Sequence, residues 1–186
     1  MKTEVAAISQ VTAWDSETLS SFDKSRKDIL VIDRPPIPGL PSAMRAARVL
    51  NQRARVMASE VGPFVAEAVT YLHIDCPALI DDITELTRSF LAQFKLSTAS
   101  LRIEVVTVAS CPKFHCDNLL IRLVTTYHGP ATEFIHVDRP DRIEQVRAGA
   151  LVFLKGRAHP SHADEVHHRS PVVPYGEKRL CVVLDV

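Results

Sequence analysis

Hydrophobic and polar positions change their spacing near the middle of the chain. Between Pro77 and Phe94, five apolar residues recur every three or four positions, which places them on one face of a helix. These residues are Leu79, Ile83, Leu86, Phe90 and Phe94. After Lys95 the spacing shortens, and the run 101–108 is β-branched and partly alternating, as strands are. The pattern predicts helices first and a β-fold afterwards.

Two further helices are predicted before Pro77. The segment 42–60 is rich in Ala, Arg, Leu and Met, which are good helix formers, and a second helical stretch at 64–72 follows Gly62-Pro63. Residues 33–41 are dense in proline and can form neither a helix interior nor a central strand. We therefore predict an N-terminal arm over 1–40 and a helical layer over 41–97.

The second half of the chain carries three more segments with strand character. They are residues 119–127, 149–154 and 179–186, and turn signals lie at 128–130, 139–141, 155–156 and 175–176. Short strands separated by turns at this spacing are typical of a compact antiparallel β-fold. The predicted fold class is α+β, with the helical layer packed on a β-core over residues 98–186 in one globular domain.

Composition restricts the classes of function. The 186 residues carry 22 Lys and Arg against 22 Asp and Glu, so no basic field is available to attract nucleic acid. No apolar run approaches the roughly 20 residues that span a bilayer, and the N-terminus lacks the apolar core of a signal peptide. We expect a soluble, cytoplasmic protein that binds neither nucleic acid nor a membrane.

Histidine is concentrated in one region, because seven of the eight histidines fall between residues 115 and 168. His115 and Asp117 lie just before a predicted strand, and residues i and i+2 of an extended segment point to the same face. They are either a hydrogen-bonded pair or two ligands of one metal ion. A third ligand could come from His167 or His168, and two histidines with one carboxylate form the facial triad that binds non-haem Fe(II).

The order of these residues resembles that of the 2-oxoglutarate- and Fe(II)-dependent oxygenases. A His-x-Asp pair is followed by a distant histidine, and Arg179 opens the last predicted strand eleven residues after His168. The resemblance implies a double-stranded β-helix, which is a cupin-like relative of the jelly roll. It also implies Fe(II) and 2-oxoglutarate as cofactors, with Arg179 pairing with the far carboxylate of 2-oxoglutarate.

A closer resemblance covers residues from about 100 to 186. The blocks that carry it are Cys-Pro-Lys-Phe-His-x-Asp at 111–117, Thr-Tyr-x-Gly-Pro-x-Thr-Glu at 126–133, Lys155-Gly156 and His168-Arg169-Ser170-Pro171. They resemble a bacterial family catalogued as domain of unknown function 1826, although Ala131 stands where the family pattern has glycine. The resemblance implies the metal ligands His115, Asp117 and His168 and a role connected with metals, but no particular reaction.

Three residues are candidates for binding a cofactor: Arg179, Arg122 and Tyr127. Lys178 is the rival of Arg179, because periodicity does not decide which of these neighbours faces the interior. Arg122 is either an anion anchor or an arginine held in a structural salt bridge. The hydroxyl of Tyr127 or of Thr125 could orient a carboxylate, whereas the common role of a strand tyrosine is packing.

Two functions of different classes follow from these residues. The first is a mononuclear Fe(II)/2-oxoglutarate-type oxygenase acting on an unknown substrate. The alternative is a zinc-binding cupin-like protein of metal homeostasis, for storage or hydrolysis, in which Cys111 adds a thiolate to the site. A β-domain that only scaffolds a partner is a third possibility. Substrate, oligomeric state and native metal are not indicated by the sequence.

Overall fold

The computed structural model describes residues 14–186, and within that range it contains four helices and nine strands. The helices are α1 (Ser16–Lys24), α2 (Leu40–Ala43), α3 (Val61–Tyr71) and α4 (Pro77–Gln93). The strands are β1 (Ile29–Ile32), β2 (Asn51–Val56), β3 (Ala99–Val106), β4 (Ile121–His128), β5 (Glu133–His136), β6 (Arg139–Gln145), β7 (Leu151–Lys155), β8 (Val166–Arg169) and β9 (Arg179–Asp185). None of these helices is both long enough and apolar enough to cross a membrane.

The strands form two antiparallel sheets. The larger sheet has the order β1-β7-β4-β9-β3-β2, and the smaller one has the order β6-β5-β8. The segment before β4 lies beside β8 and is joined to it by an isolated antiparallel bridge between His115 and His168. Each of these histidines donates its backbone N–H to the carbonyl of the other, at 3.0 and 2.9 Å. The bridge places two of the predicted metal ligands side by side.

The larger sheet separates two apolar clusters. Along β9, Leu180, Val182 and Leu184 join the main core, which also contains the buried faces of α1, α3 and α4. The intervening residues Cys181 and Val183 belong to a smaller cluster on the opposite face. Because side chains alternate along a strand, one face of this sheet packs on helices and the other faces the region of the two histidines.

The predicted helix over the apolar stripe and the strands predicted after it are present, although β1 and β2 lie between the helices. Helix α4 begins at Pro77, and the first four residues of its apolar stripe are no more than 1% exposed. Phe94 follows the last helical residue and still packs against the core. The four strands predicted after residue 98 correspond to β3, β4, β7 and β9. The chain is therefore a mixed α and β protein with antiparallel sheets.

The helix predicted over 42–60 is wrong, because residues 51–56 form the edge strand β2. Its residues alternate between exposed and more buried positions, and Val56 at its end is 2% exposed. Arg53 and Arg55 face solvent and donate to Ser100 and Thr98, at 3.2 and 2.9 Å. The helix-forming residue types are overridden by pairing with β3, since a weak intrinsic preference yields to tertiary contacts.

The extended arm predicted over 1–40 is also wrong for residues 16–32, which form α1 and β1. The Asp15 side chain accepts hydrogen bonds from two backbone N–H groups of the first turn of α1, as an N-cap residue does. Leu19 is fully buried, and β1 pairs with β7 at the edge of the larger sheet. Residues 33–39 are irregular, as their prolines require, and a short irregular link at 25–28 joins α1 to β1. Residues 1–13 lie outside the described range.

The turn predicted at 139–141 lies inside a strand. These residues begin β6, the outermost strand of the smaller sheet, and the chain reverses just before them, between β5 and β6. Proline is compatible with an edge strand because one side of such a strand donates no ladder hydrogen bonds. Pro140 therefore marks a sheet edge here and not the turn itself.

Candidate metal centre

Three side chains that the sequence analysis proposed as metal ligands converge beside the smaller sheet. His168 projects from β8, His115 from the segment bridged to it, and Asp117 follows two residues later. One ligand atom of each lies within 4.8 Å of those of the other two. Asp117 Oδ2 lies 3.1 Å from His168 Nε2, and the two imidazole centroids are 4.6 Å apart. This arrangement could hold one metal ion through two imidazoles and a carboxylate.

The protonation states at neutral pH suit metal binding. His115 Nδ1 lies 2.8 Å from the carbonyl oxygen of Lys113, which can only accept, so this contact uses an Nδ1 proton and turns Nε2 toward Asp117. Burial lowers the pKa of His168 and favours its neutral form. Burial raises the pKa of Asp117, but the hydrogen bond from His168 and the charge of Arg122 outweigh it and lower the pKa to about 2. Neutral imidazoles and an ionised carboxylate are the forms that bind metals.

The backbone around Asp117 packs tightly against the turn after β7. The N–H of Arg157 donates to the carbonyl of Asp117 at 2.8 Å. A Cβ atom at Gly156 would overlap the carbonyl oxygen of Leu119 and lie 2.8 Å from that of Asp117. Only glycine allows this approach, because it has no side chain to displace the neighbouring backbone. Gly156 therefore helps to set the position of the Asp117 carboxylate.

The structure distinguishes the two adjacent histidines. His168 is buried within the cluster, at 7% exposure. His167 points to the opposite side of β8, where its Nε2 lies 3.1 Å from Oδ1 of the exposed Asp164. Of the two adjacent histidines, only His168 lies near Asp117.

Neither nearby cysteine belongs to the cluster. Cys116 Sγ points to the backbone carbonyls of Asp117 and Lys155, at 3.7 and 3.9 Å, whereas Cys111 is exposed and lines the adjacent cavity. Within residues 14–186, the one group of three or more His, Cys, Asp or Glu side chains at ligand spacing is the His115, Asp117 and His168 cluster. The cluster therefore has three members and contains no sulfur.

Arg122 links two carboxylates beside the cluster. Its Nε and Nη2 donate to the two oxygens of Asp185 at 2.6 and 3.0 Å, and its Nη1 donates to Asp117 Oδ2 at 2.5 Å. Burial lowers the pKa of Arg122, but the hydrogen bonds and charges of Asp185 and Asp117 outweigh that effect and raise it. The assignment of Arg122 to cofactor binding is therefore corrected, because two carboxylates already neutralise its charge. The alternative of a salt-bridged arginine describes it.

Four arginines line the cavity between the sheets, which His115 and His168 also line. Three of them have a carboxylate partner within 4 Å: Arg102 with Glu104, Arg122 with Asp185, and Arg169 with Glu133. Arg179 is 2% exposed and has no such partner among the described residues. Its Nε donates to the carbonyl of Pro130 and its Nη2 to Thr126 Oγ1, both at 3.0 Å. The cavity thus contains a buried guanidinium held only by neutral acceptors.

Lys178, the rival of Arg179, lies outside this cavity. Its Nζ donates to the backbone carbonyls of Met44, Arg45 and Ala47 at 3.4, 3.0 and 2.6 Å. The lysine therefore secures the chain after α2. Of the two neighbours, only Arg179 lines the same cavity as the two histidine ligands.

The assignment of Tyr127 to cofactor binding is wrong. Tyr127 is buried in the main core on the helical side of the larger sheet, and its hydroxyl donates to Asp82 Oδ2 on α4 at 2.6 Å. Burial, together with the charge of Asp82, raises the pKa of Tyr127 well above its usual value. Thr125 is buried as well, and its hydroxyl makes no hydrogen bond within the described residues. On β4, Arg122 and Val124 line the cavity.

Two residues of the site were missed by sequence reasoning. Asp185 shares a strand face with Arg179 and stands opposite Arg122 in the pairing of β4 with β9. A charged residue at the end of an apolar strand, such as Asp185, indicates that a partner of opposite charge lies nearby. That partner, Arg122, is 63 residues away in sequence, so the sequence did not identify it. Thr126 gave no separate signal, because a threonine in a strand is common and only the fold brings it to Arg179.

Comparison with solved structures assigns the fold to a class. A dioxygenase for auxin oxidation from rice matches 94% of this chain and 80% of its own, with 12% identity and a TM-score of 0.50. A Pseudomonas putida prolyl-4-hydroxylase matches 91% and 96% at 14% identity and a TM-score of 0.48. A viral collagen prolyl hydroxylase from Paramecium Bursaria Chlorella virus-1, solved with 2OG, matches 86% and 94% at 13% identity and a TM-score of 0.49. The chain therefore shares its fold with the rice dioxygenase.

The particular family follows from the sequence. The model of the family described as "Protein of unknown function (DUF1826)" matches residues 10–185, so the chain belongs to this family. The resemblance stated for residues 100–186 is thereby confirmed and extends over nearly the whole chain. No curated protein matches the sequence significantly.

Proposed function

We propose that the protein is a mononuclear non-haem Fe(II)- and 2-oxoglutarate-dependent oxygenase built on a double-stranded β-helix. The strand order supports the fold: β7-β4-β9-β3 form the centre of one sheet, while β6-β5-β8 and the His115 segment form the other. Eight segments shared between two sheets in this way are typical of a jelly roll. The observation that carries the proposal is a three-ligand cluster that shares a cavity with an arginine lacking a carboxylate partner.

The ligand set fits Fe(II). His115 and His168 would each present an imidazole nitrogen, and Asp117 a carboxylate that is ionised at neutral pH. Three protein ligands leave positions open for a small molecule, whereas a structural zinc site is closed by four. When bound, iron together with a 2-oxo acid and O₂ would supply the oxidising chemistry that hydroxylates a C–H bond.

Arg179 would bind the far carboxylate of the co-substrate. A guanidinium has five N–H donors, and Pro130 and Thr126 accept from two of them, which leaves three for a carboxylate. The two acceptors also fix the orientation of the guanidinium plane, so that little conformational freedom is lost on binding. Because Arg179 is buried without a counter-ion, an anion entering the cavity would gain a charge-assisted contact that water does not provide.

The test is anaerobic titration of metal-free protein with Fe(II) and then with 2-oxoglutarate, following the visible charge-transfer band that a 2-oxo acid gives with Fe(II). The wild type is expected to develop the band and His115→Ala to lack it. Arg179→Ala is expected to need about 10- to 100-fold more 2-oxoglutarate, corresponding to the loss of a hydrogen-bonded charge. Lys178→Ala is the matched control, because this neighbour lies outside the cavity, and its titration should follow the wild type.

Two outcomes would contradict the proposal. A normal 2-oxoglutarate titration in Arg179→Ala would remove the assigned anchor. An absent band in wild-type protein that takes up one metal ion would exclude the co-substrate and favour the zinc-binding alternative.

The observation that favours this second candidate is Cys111, which lines the same cavity. In that case Cys111→Ser should weaken zinc binding, because thiolate is a preferred zinc ligand.

A further inference from the structure

The carboxylate of Asp117 is connected to the far end of β9 by a chain of ionic hydrogen bonds. Arg122 and Asp185 are direct partners in the pairing of β4 with β9. Two parallel hydrogen bonds join them at 2.6 and 3.0 Å, and a third, at 2.5 Å, joins Arg122 to Asp117. All three side chains are largely buried, with 16 to 21% of their surface exposed. A bidentate arginine–carboxylate pair is geometrically specific, so Arg122 has little freedom to move.

The chain of bonds distinguishes the two oxygens of Asp117. Arg122 Nη1 donates to Oδ2, which also lies 3.1 Å from His168 Nε2, while Oδ1 has no hydrogen-bond donor among the described residues and lies 3.7 Å from His115 Nε2. An oxygen that accepts a strong hydrogen bond has less electron density to offer to a metal. Asp117 would therefore present one oxygen to an ion, and not both. A single-oxygen ligand leaves one more position of the metal open.

Asp185 compensates the charge of Arg122. An arginine beside a metal ion repels it, and at short range two charges interact strongly in a partly buried site. The carboxylate of Asp185 neutralises that repulsion while it holds the guanidinium in place. Replacing Asp185 by a neutral residue would therefore loosen Arg122 and remove one of the two negative charges that Arg122 pairs with beside the ligands. Both effects oppose metal binding, so the sign of the expected change is unambiguous.

We infer that Asp185 and Arg122 are positioning residues that hold Asp117 as a single-oxygen metal ligand and balance the charge around it. This inference rests on the metal-binding part of the proposed function and does not require 2-oxoglutarate. Asp185 touches no ligand atom of the cluster directly and acts through Arg122. Outer-shell partners of this kind, when removed, weaken metal binding by about 10- to 100-fold in other metal sites.

The experiment is titration of metal-free protein with Co(II), whose visible absorption reports the number and geometry of its ligands. Asp185→Asn is expected to weaken Co(II) binding by about 10- to 100-fold and to change the absorption spectrum. Asp185→Glu retains the carboxylate and should restore part of the affinity. The matched control is Asp141→Asn, which removes an exposed carboxylate from β6 and should leave both affinity and spectrum unchanged.

Arg122→Lys provides a second variant if Asp185→Asn does not fold. Lysine keeps the charge but cannot donate to both carboxylates in the fork geometry, so binding should again weaken and the spectrum change.

The inference is overturned if folded Asp185→Asn or Arg122→Lys binds Co(II) as the wild type does, with the same spectrum. If the wild type binds no Co(II), the metal-binding proposal itself is wrong and this inference with it. A wild type that binds Co(II) but shows no 2-oxoglutarate band would leave the positioning pair in place and remove only the co-substrate.

Discussion

Adjacent residues of similar chemistry take different roles in this protein. His168 lies in the ligand cluster, while His167 contacts Asp164 at the surface. Arg179 lines the cavity, while Lys178 holds backbone carbonyls after α2. His167 and His168 differ because neighbouring side chains of a strand point to opposite faces, whereas Lys178 precedes β9, which begins at Arg179.

At the residue scale, His168→Ala and His167→Ala are expected to differ sharply. His168→Ala removes one of three ligands and should abolish stoichiometric Fe(II) binding, whereas His167→Ala should bind metal as the wild type does. Equilibrium dialysis under anaerobic conditions with metal analysis measures both. The opposite result would place the third ligand one residue earlier.

Tyr127→Phe should affect stability but not the site. The substitution removes the hydroxyl that donates to Asp82, and the loss of one such hydrogen bond to a carboxylate costs about 1.5 to 3 kcal/mol. Arg34 continues to pair with Asp82 at 3.0 Å, so the carboxylate keeps one partner and the lower end is expected. Urea unfolding measures the change in the free energy of unfolding. A weakened 2-oxoglutarate titration in this variant would instead restore Tyr127 as a cofactor-binding residue.

At the scale of the element, the secondary structure of a segment also depends on the strand beside it. Residues 51–56 have helix-forming residue types, yet they form β2 because β3 offers an unpaired edge and Val56 reaches the core. Residues 29–32 form β1 in the same way, by completing the edge of the larger sheet beside β7. An intrinsic preference of less than about 1 kcal/mol per residue is smaller than the gain from pairing and burial.

The turn after β7 is predicted to control the segment that carries Asp117. Gly156→Ala forces a Cβ against the backbone carbonyls of Leu119 and Asp117, which should destabilise the protein by about 1 to 3 kcal/mol and weaken Co(II) binding. Gly62→Ala is the control, since its Cβ would meet only side-chain atoms at 3.5 Å or more. Thermal unfolding and Co(II) titration measure the two effects. Unchanged Co(II) affinity in folded Gly156→Ala would separate this turn from the site.

At the scale of the whole molecule, the two faces of the larger sheet have different surroundings. One face packs against helices in the main core, and the other carries the charged groups of the cavity together with a small apolar cluster. The helical face supplies most of the apolar burial that stabilises the fold, since the larger of the two apolar clusters lies there.

Metal binding is therefore expected to stabilise the whole chain, because its ligands join separate segments of the fold. At a free metal concentration 100 times the Kd, the gain is about 2.7 kcal/mol. For a chain of this length, that corresponds to a rise in Tm of roughly 5–10 °C. Differential scanning calorimetry of wild type and His115→Ala, with and without Co(II), measures it. A rise of equal size in His115→Ala would show that the metal binds elsewhere.

The sequence by itself determined the features that depend on local spacing. The apolar stripe from Leu79 to Phe94 and the strand character after residue 98 were readable because helices and strands impose periods of 3.6 and 2 on the chain. The order of His115, Asp117 and Arg179 was readable directly and carried the resemblance to the oxygenases. The α+β class and the cluster of candidate ligands followed from them.

Only the tertiary structure decided the features that depend on contacts between distant segments. The choice of His168 over His167, the pairing of Arg122 with Asp185 and the placement of Tyr127 against α4 each require a strand register. A shift of one residue in that register would turn every side chain of a strand to the other face. Periodicity along one strand does not reveal which face meets which neighbour, because that choice is made by packing across the whole sheet.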